Sequence, residues 1–135
     1  MKSKLLILFS HSLTDAQKSD IRKNLRIKES NIVQLPEDLK IKFSNIPPDL
    51  KSIKKFSGQF TEWIKRNAEA GDYVLIQGDY GVSFLLVDFC LKNRLVPLYA
   101  TTERIQQEEK NQDGSVTIKK KFTHKLFRRY EPWEG

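Results

Sequence analysis

GDYVLIQGDYGVSFLLVDFCLKNRLVPLYATT, running from Gly71 to Thr102, is the stretch that decides the fold. It opens with Tyr73-Val74-Leu75-Ile76, a short apolar run rich in β-branched and aromatic residues, which predicts a buried strand. The run stops at Gln77-Gly78-Asp79-Tyr80-Gly81, a polar turn with two glycines. Val82, Leu85, Leu86, Phe89 and Cys90 then recur at the spacing of one helical face. A second apolar run, Leu95 to Ala100, ends in Thr101-Thr102. Strand, turn, helix, strand is a βαβ unit, which implies parallel strands and a right-handed crossover. In open α/β sheets ligands bind outside the carboxyl ends of the strands, so the loops after Ile76 and Ala100 become the places to look for function.

Working outward, Lys4 to Phe9 reads as the first strand. The apolar residues behind Lys2 and Lys4 are too few for a signal peptide, and they meet Ser10-His11 instead of a small-residue cleavage site. Thr14 to Gln17 carries a capping-box pattern that predicts a helix to about Leu25, with Ala16, Ile21 and Leu25 inward. Asn31 to Leu35 is a short strand closed by Pro36. Pro36 to Pro48 has several breakers and no clear period, and it reads as an ordered loop crossing the sheet. Asp49 to Ala70 is predicted helical from Leu50, Ile53, Phe56, Phe60, Trp63 and Ile64, with a break at Ser57-Gly58. Beyond Arg104, Ile105 to Lys110 and Val116 to Phe127 flank Asn111-Gln112-Asp113-Gly114, a hairpin turn signal. The expected fold is a single α/β domain, residues 1–135: a small Rossmann-like parallel sheet flanked by helices (1–104) with a C-terminal β-hairpin (105–131).

Composition narrows the function classes. A chain of 135 residues is long enough to bury a core, and 39% apolar with 30% charged residues is a globular balance. No apolar run approaches the roughly 20 residues of a membrane span. Cys90 is the single cysteine, which leaves no internal disulfide and no cysteine zinc site, and the cytoplasm is the expected compartment. The net charge of +7 favours an anionic ligand, although part of it is ordinary lysine-rich surface.

Three polar loops meet one edge of the expected sheet. Ser10-His11-Ser12 follows the first strand: its hydroxyls and imidazole can contact phosphate beside a helix N-terminus, or His11 is a bystander and Ser12 or Thr14 a cap. In the second loop Asp79 suits a helix N-cap. Gly78 and Gly81 permit close ligand approach or simply turn the chain, Gln77 can read a base edge, and Tyr80 can stack on a base. Thr101, Thr102 and Arg104, with Glu103, offer hydroxyls and a guanidinium to a phosphate, or form a solvated turn. Lys119 to Lys121 with His124, Lys125, Arg128 and Arg129 is a basic run without a carboxylate: a charged lid over an anion, or an edge strand guarded by lysines. No metal-ligand constellation, Walker loop or dinucleotide fingerprint is present, so neither metal nor cofactor is expected.

LFSHSLTDAQ (8–17), FSNIPPDL (43–50), GDYVLIQGDYG (71–81), LVPLYATTER (95–104) and FTHKLFRRYE (122–131) resemble, in order and spacing, the motifs of a small CRISPR-associated family of type III systems. That family is regarded as stand-alone ring nucleases related to CARF (CRISPR-associated Rossmann fold) domains. The resemblance implies a homodimer that binds a cyclic oligoadenylate second messenger, foremost cyclic tetra-adenylate, and degrades it to switch off antiviral signalling. It implies no long nucleic acid as a stable partner and assigns no catalytic residue. A metal-free route fits: the ribose 2′-OH attacks the adjacent phosphorus and leaves a 2′,3′-cyclic phosphate. His11 or His124 can give acid or base help, while Arg104, Lys125 and Arg128 can stabilise charge. A non-catalytic sensor or sink, and a general RNA-binding or RNA-cleaving module, are the alternatives.

Overall fold

Leu5-Leu6-Ile7-Leu8 is apolar on both sides of a strand, and both sides are buried: the strand lies inside a sheet, between two others. The computed structural model describes residues 3–134. Lys2 and Gly135 lie outside the described residues. Strands β1 (Leu5–Phe9), β2 (Ile32–Gln34), β3 (Tyr73–Gln77), β4 (Val96–Lys110) and β5 (Val116–Arg129) form one five-stranded sheet in the order β2-β1-β3-β4-β5. The first three junctions are parallel and the β4–β5 junction is antiparallel, so the mixed α/β architecture with a C-terminal hairpin is observed.

Leu6, Leu8, Val74 and Ile76 point to one face, where they meet α2 (Glu37–Ser44), α3 (Lys54–Asn67) and α4 (Tyr80–Lys92) in the larger core. Leu5, Ile7, Leu75 and Leu98 point to the other, under α1 (Asp15–Asp20) and Phe127. Thr14 and Gln17 make the expected capping box on α1. Cys90 lies in the larger core, and burial pushes its thiol up to about 12, so it is an inert core residue.

Several expectations are corrected. The 36–48 segment contains helix α2, because Pro36 precedes acidic Glu37 and Asp38 in the first turn, and Phe43 enters the core while Leu39 packs at its edge. The helix expected over 49–70 begins at Lys54 and runs unbroken through Ser57-Gly58, while Leu50 lies outside it and is exposed. In α1 the inward residue is Gln17, and Ala16 is exposed. At Ile21 the α-helix widens into a π-helical turn, Ile21–Leu25. The strand after α4 does not stop at Ala100: β4 runs on to Lys110, so residue 104 falls inside a strand and the hairpin is the prolongation of the last parallel strand. From Thr102 to Phe122 nearly every residue is exposed, and this half of the β4–β5 ribbon stands free of the body as an arm.

Candidate functional site

The carboxyl ends of β1 and β3, and the point where β4 leaves the body, enclose a cleft of about 220 Å³. Its walls are the rings of Phe9 and Phe122 and the polar side chains of Thr14, Gln17, Gln77, Thr102 and His124, with no carboxylate among the lining residues. Gln77 is anchored: its carboxamide oxygen accepts from the backbone N–H of Ala100 at 3.0 Å, which bridges β3 to β4. Two candidate groups flank the cleft through its aromatic walls. His11, exposed, packs edge-on against Phe9 with ring centroids 5.3 Å apart, and the Arg104 guanidinium lies 5.2 Å from the centre of the Phe122 ring.

Where β5 meets the body, a bulge sets the geometry. Ala100 pairs with Phe127 and Thr102 with His124, so three β5 steps oppose two on β4. The bulge puts His124 and Phe127 together, ring centroids 4.7 Å apart, which overrides simple alternation along the strand. Thr101 holds it: its hydroxyl donates to the Leu126 carbonyl at 2.9 Å and accepts from the Leu126 N–H at 3.1 Å. Thr101 is thus occupied structurally, and Thr102 is the exposed member of the pair at the cleft.

His124 is more enclosed than a position on a hairpin arm suggests. Its side chain is 6% exposed and its Nε2–H donates to Asp20 Oδ2 at 2.7 Å; Asp20 Oδ1 accepts from Asn24 in the π-helical turn at 2.5 Å. The Nδ1 atom is buried without a protein partner. The pair latches the base of the arm to α1. Replacing His124 by alanine leaves the half-buried Asp20 carboxylate with Asn24 as its remaining donor and is expected to cost about 1–2 kcal/mol. Asp20→Asn keeps an acceptor and should lose less. Thermal melts with limited proteolysis of the arm check this, and an alanine variant that melts and resists protease like the parent chain would refute the latch.

The remaining candidates disperse. Asp79 caps α4, its Oδ2 accepting from the Val82 N–H at 3.0 Å. Gly78 and Gly81 have a packing reason: an added Cβ would lie 2.8 Å from the buried Phe43 ring at Gly78 and 2.7 Å from Ile53 at Gly81. Tyr80 is 94% exposed and lines a groove of about 680 Å³ along α4, which shares Gln77 with the cleft. Ser10 is half-buried after β1, and Ser12 faces a third depression of about 370 Å³ with Lys18 and Lys40. Lys125 pairs with Glu103 at 3.8 Å, and Arg128 donates to the Tyr99 hydroxyl at 3.0 Å.

The cleft therefore joins Gln77, Thr102 and His124, with His11 and Arg104 at its flanks. The sequence reading missed Asp20, Phe9 and the α4 groove. It also missed Tyr130, whose hydroxyl donates to the Ile76 carbonyl at 2.7 Å and whose phenol is pushed above its ordinary value by burial and then by Tyr99. Among the described residues no group of three or more His, Cys, Asp or Glu side chains converges as a metal site would.

A family model described as "Uncharacterized protein MJ1673 family" matches residues 3–128. The chain belongs to the MJ1673 family. Protein MJ1673 of Methanocaldococcus jannaschii is 42% identical over 130 residues, which cover 96% of this chain and 98% of that protein. No solved structure matches. The stretch matched to the MJ1673 family contains the cleft and the whole arm, so body and arm fall within one family unit.

Proposed function

We propose that the chain is a ring nuclease: it binds cyclic tetra-adenylate and cleaves it by 2′-OH attack, in the cytoplasm, as a homodimer. The observation that carries this reading is the cleft at the carboxyl edge of the parallel sheet. It combines two aromatic walls with neutral polar groups, holds no carboxylate to repel a phosphodiester, and belongs to a chain of net charge +7. Its 220 Å³ is below the ~300–1,000 Å³ of pockets that engulf a whole small ligand. It suits one nucleotide unit of a ring that lies across two clefts, as a two-fold ligand on a two-fold dimer requires. The sequence resemblance set out above supplies the identity of the ring. No described helix is long and apolar enough to cross a membrane, which agrees with a water-borne ligand.

Within this reading His11 and Arg104 have the accessible positions, His11 for proton transfer and Arg104 for charge on the phosphorane. His124 positions the wall they stand beside. Purified protein should bind cyclic tetra-adenylate at least about tenfold more tightly than the linear tetramer, because the closed ring loses less freedom on binding, and should convert it to linear product. Equal affinity for both would favour general RNA binding through the arm, where Lys119, Lys120 and Lys121 are exposed. Tight ring binding without product would make the protein a sink.

A further inference from the structure

Helix α4 is apolar on two sides. Val82, Leu86 and Cys90 face the sheet and are fully buried, while Phe84, 71% exposed, looks outward with Leu91, and half-buried Val87 packs against the core on one side and lines the groove on the other. A helix that is hydrophobic all round belongs in an interior, so its second side calls for a cover. That side forms one wall of the 680 Å³ groove, and the tail residues Tyr130, Pro132 and Trp133 form the other. Tyr80 at 94%, Phe84 at 71% and Trp133 at 96% exposure are three large rings concentrated on one surface, unlike the single apolar residues scattered over a monomer.

We infer that this groove is the two-fold contact between two copies of the chain, and that the contact joins two clefts into one ring site. The second half of the inference rests on the ring-nuclease reading; the first does not. Three features select a second copy as the occupant. Knobs and groove lie on the same face, which an isologous contact requires, since each copy offers the same patch to the other. Two chains of +7 repel, yet the groove lining holds no lysine or arginine. Its charged residues are Asp88, neutralised by Lys92 at 2.8 Å, and Glu131. Cationic copies can meet here without opposing cations, whereas a nucleic acid would find none to hold. The groove is also continuous with the site. Gln77 lines both groove and cleft, with Gly78 and Tyr80 beside it, so contact along α4 sets the two 77–81 turns side by side. Three rings burying about 150–250 Å² each, with Val87, Leu91 and Pro132, reach the ~800 Å² per partner of a stable interface.

Sedimentation velocity of the full chain is the test. The unsubstituted protein should sediment at twice the chain mass in the micromolar range, and Phe84→Glu at the chain mass with unchanged far-ultraviolet circular dichroism and melting. Trp133 emission in the unsubstituted protein is a readout free of any folding defect: it should move to the red on dilution as the rings become wet, while buried Trp63 stays constant. A parent chain that is monomeric at 100 μM (about the upper working concentration), a dimeric Phe84→Glu, or concentration-independent emission each overturns the contact. Phe84→Glu should bind cyclic tetra-adenylate at least tenfold more weakly, and a monomeric variant with unchanged affinity overturns the shared site. If the substitution breaks the dimer but the parent chain binds no ring at all, the contact is upheld and the ring reading alone fails.

Discussion

Cyclic tetra-adenylate built with 2′-deoxyribose at the scissile linkages is expected to bind within about tenfold of the native ring, since each lost hydroxyl removes at most a hydrogen bond or two. It should then remain intact, with cleavage slower by at least about 10³-fold. In the proposed reaction the 2′-oxygen forms a bond to phosphorus as the P–O5′ bond breaks. The 2′-OH proton passes to a base and the departing 5′-oxygen receives a proton. The nucleophile belongs to the substrate, held next to its target, which is where effective molarities of ~10⁵ M and more originate. Removing it removes the reaction and leaves the binding surface whole. The protein contributes alignment and charge stabilisation, so turnover of the native ring should persist in excess EDTA. Single-turnover assays of both rings, with and without chelator, check both statements. Cleavage of the deoxy ring, or activity lost on chelation and restored by magnesium or manganese, would replace this mechanism with one driven by an activated water.

The features legible in the sequence are those whose causes are local. Thr14 with Gln17, and Asp79 before Val82, announce helix starts because the capping oxygen and the backbone N–H that donates to it lie three residues apart. Tyr73 to Ile76 and Leu95 to Ala100 announce strands because burial on both faces leaves an unbroken apolar run. Helix α2 escaped because its eight residues carry one inward stripe, Leu39 and Phe43, while Ile41 points out at 55% exposure and prolines flank the segment. The continuity of β4 escaped for the opposite reason. Thr101 to Arg104 is polar because the arm is wet on both faces, and a strand without a buried side has no alternation to read.

Contacts that close the site were out of reach for a different cause. Asp20 and His124 are 104 residues apart, and they meet only because a bulge held by Thr101 turns the imidazole inward and a π-helical turn brings Asn24 onto the same carboxylate. No spacing rule encodes such a meeting. The outer face of α4 escaped because Val82, Leu85, Leu86, Phe89 and Cys90 already account for one apolar face, and only the packed sheet shows that Phe84 and Leu91 stay uncovered on another.

Gly78→Ala is expected to destabilise the fold by up to about 3 kcal/mol, the upper range for overpacking a core. Its Cβ would sit 2.8 Å from Cε2 and 2.9 Å from Cζ of Phe43. Phe43 is 2% exposed and meets Phe60 edge-on, centroids 5.4 Å apart at 90°, so its ring has little room to withdraw. Gly81→Ala presses instead on the terminal methyl of half-buried Ile53, a flexible end that can rotate away, and should cost less. The turn after β3 is thus glycine-bearing because α2 packs beneath it, and lifting it should also weaken ring binding by about tenfold, since Gln77 and Tyr80 move with the turn. Phe43→Leu makes room for the new methyl. In a double-substitution cycle followed by chemical unfolding, Gly78→Ala should therefore cost at least about 1 kcal/mol less in the Phe43→Leu background than in the parent chain. If the two changes add, or if Gly78→Ala abolishes ring binding with stability untouched, the glycine serves the ligand's approach to the backbone and the packing explanation is wrong.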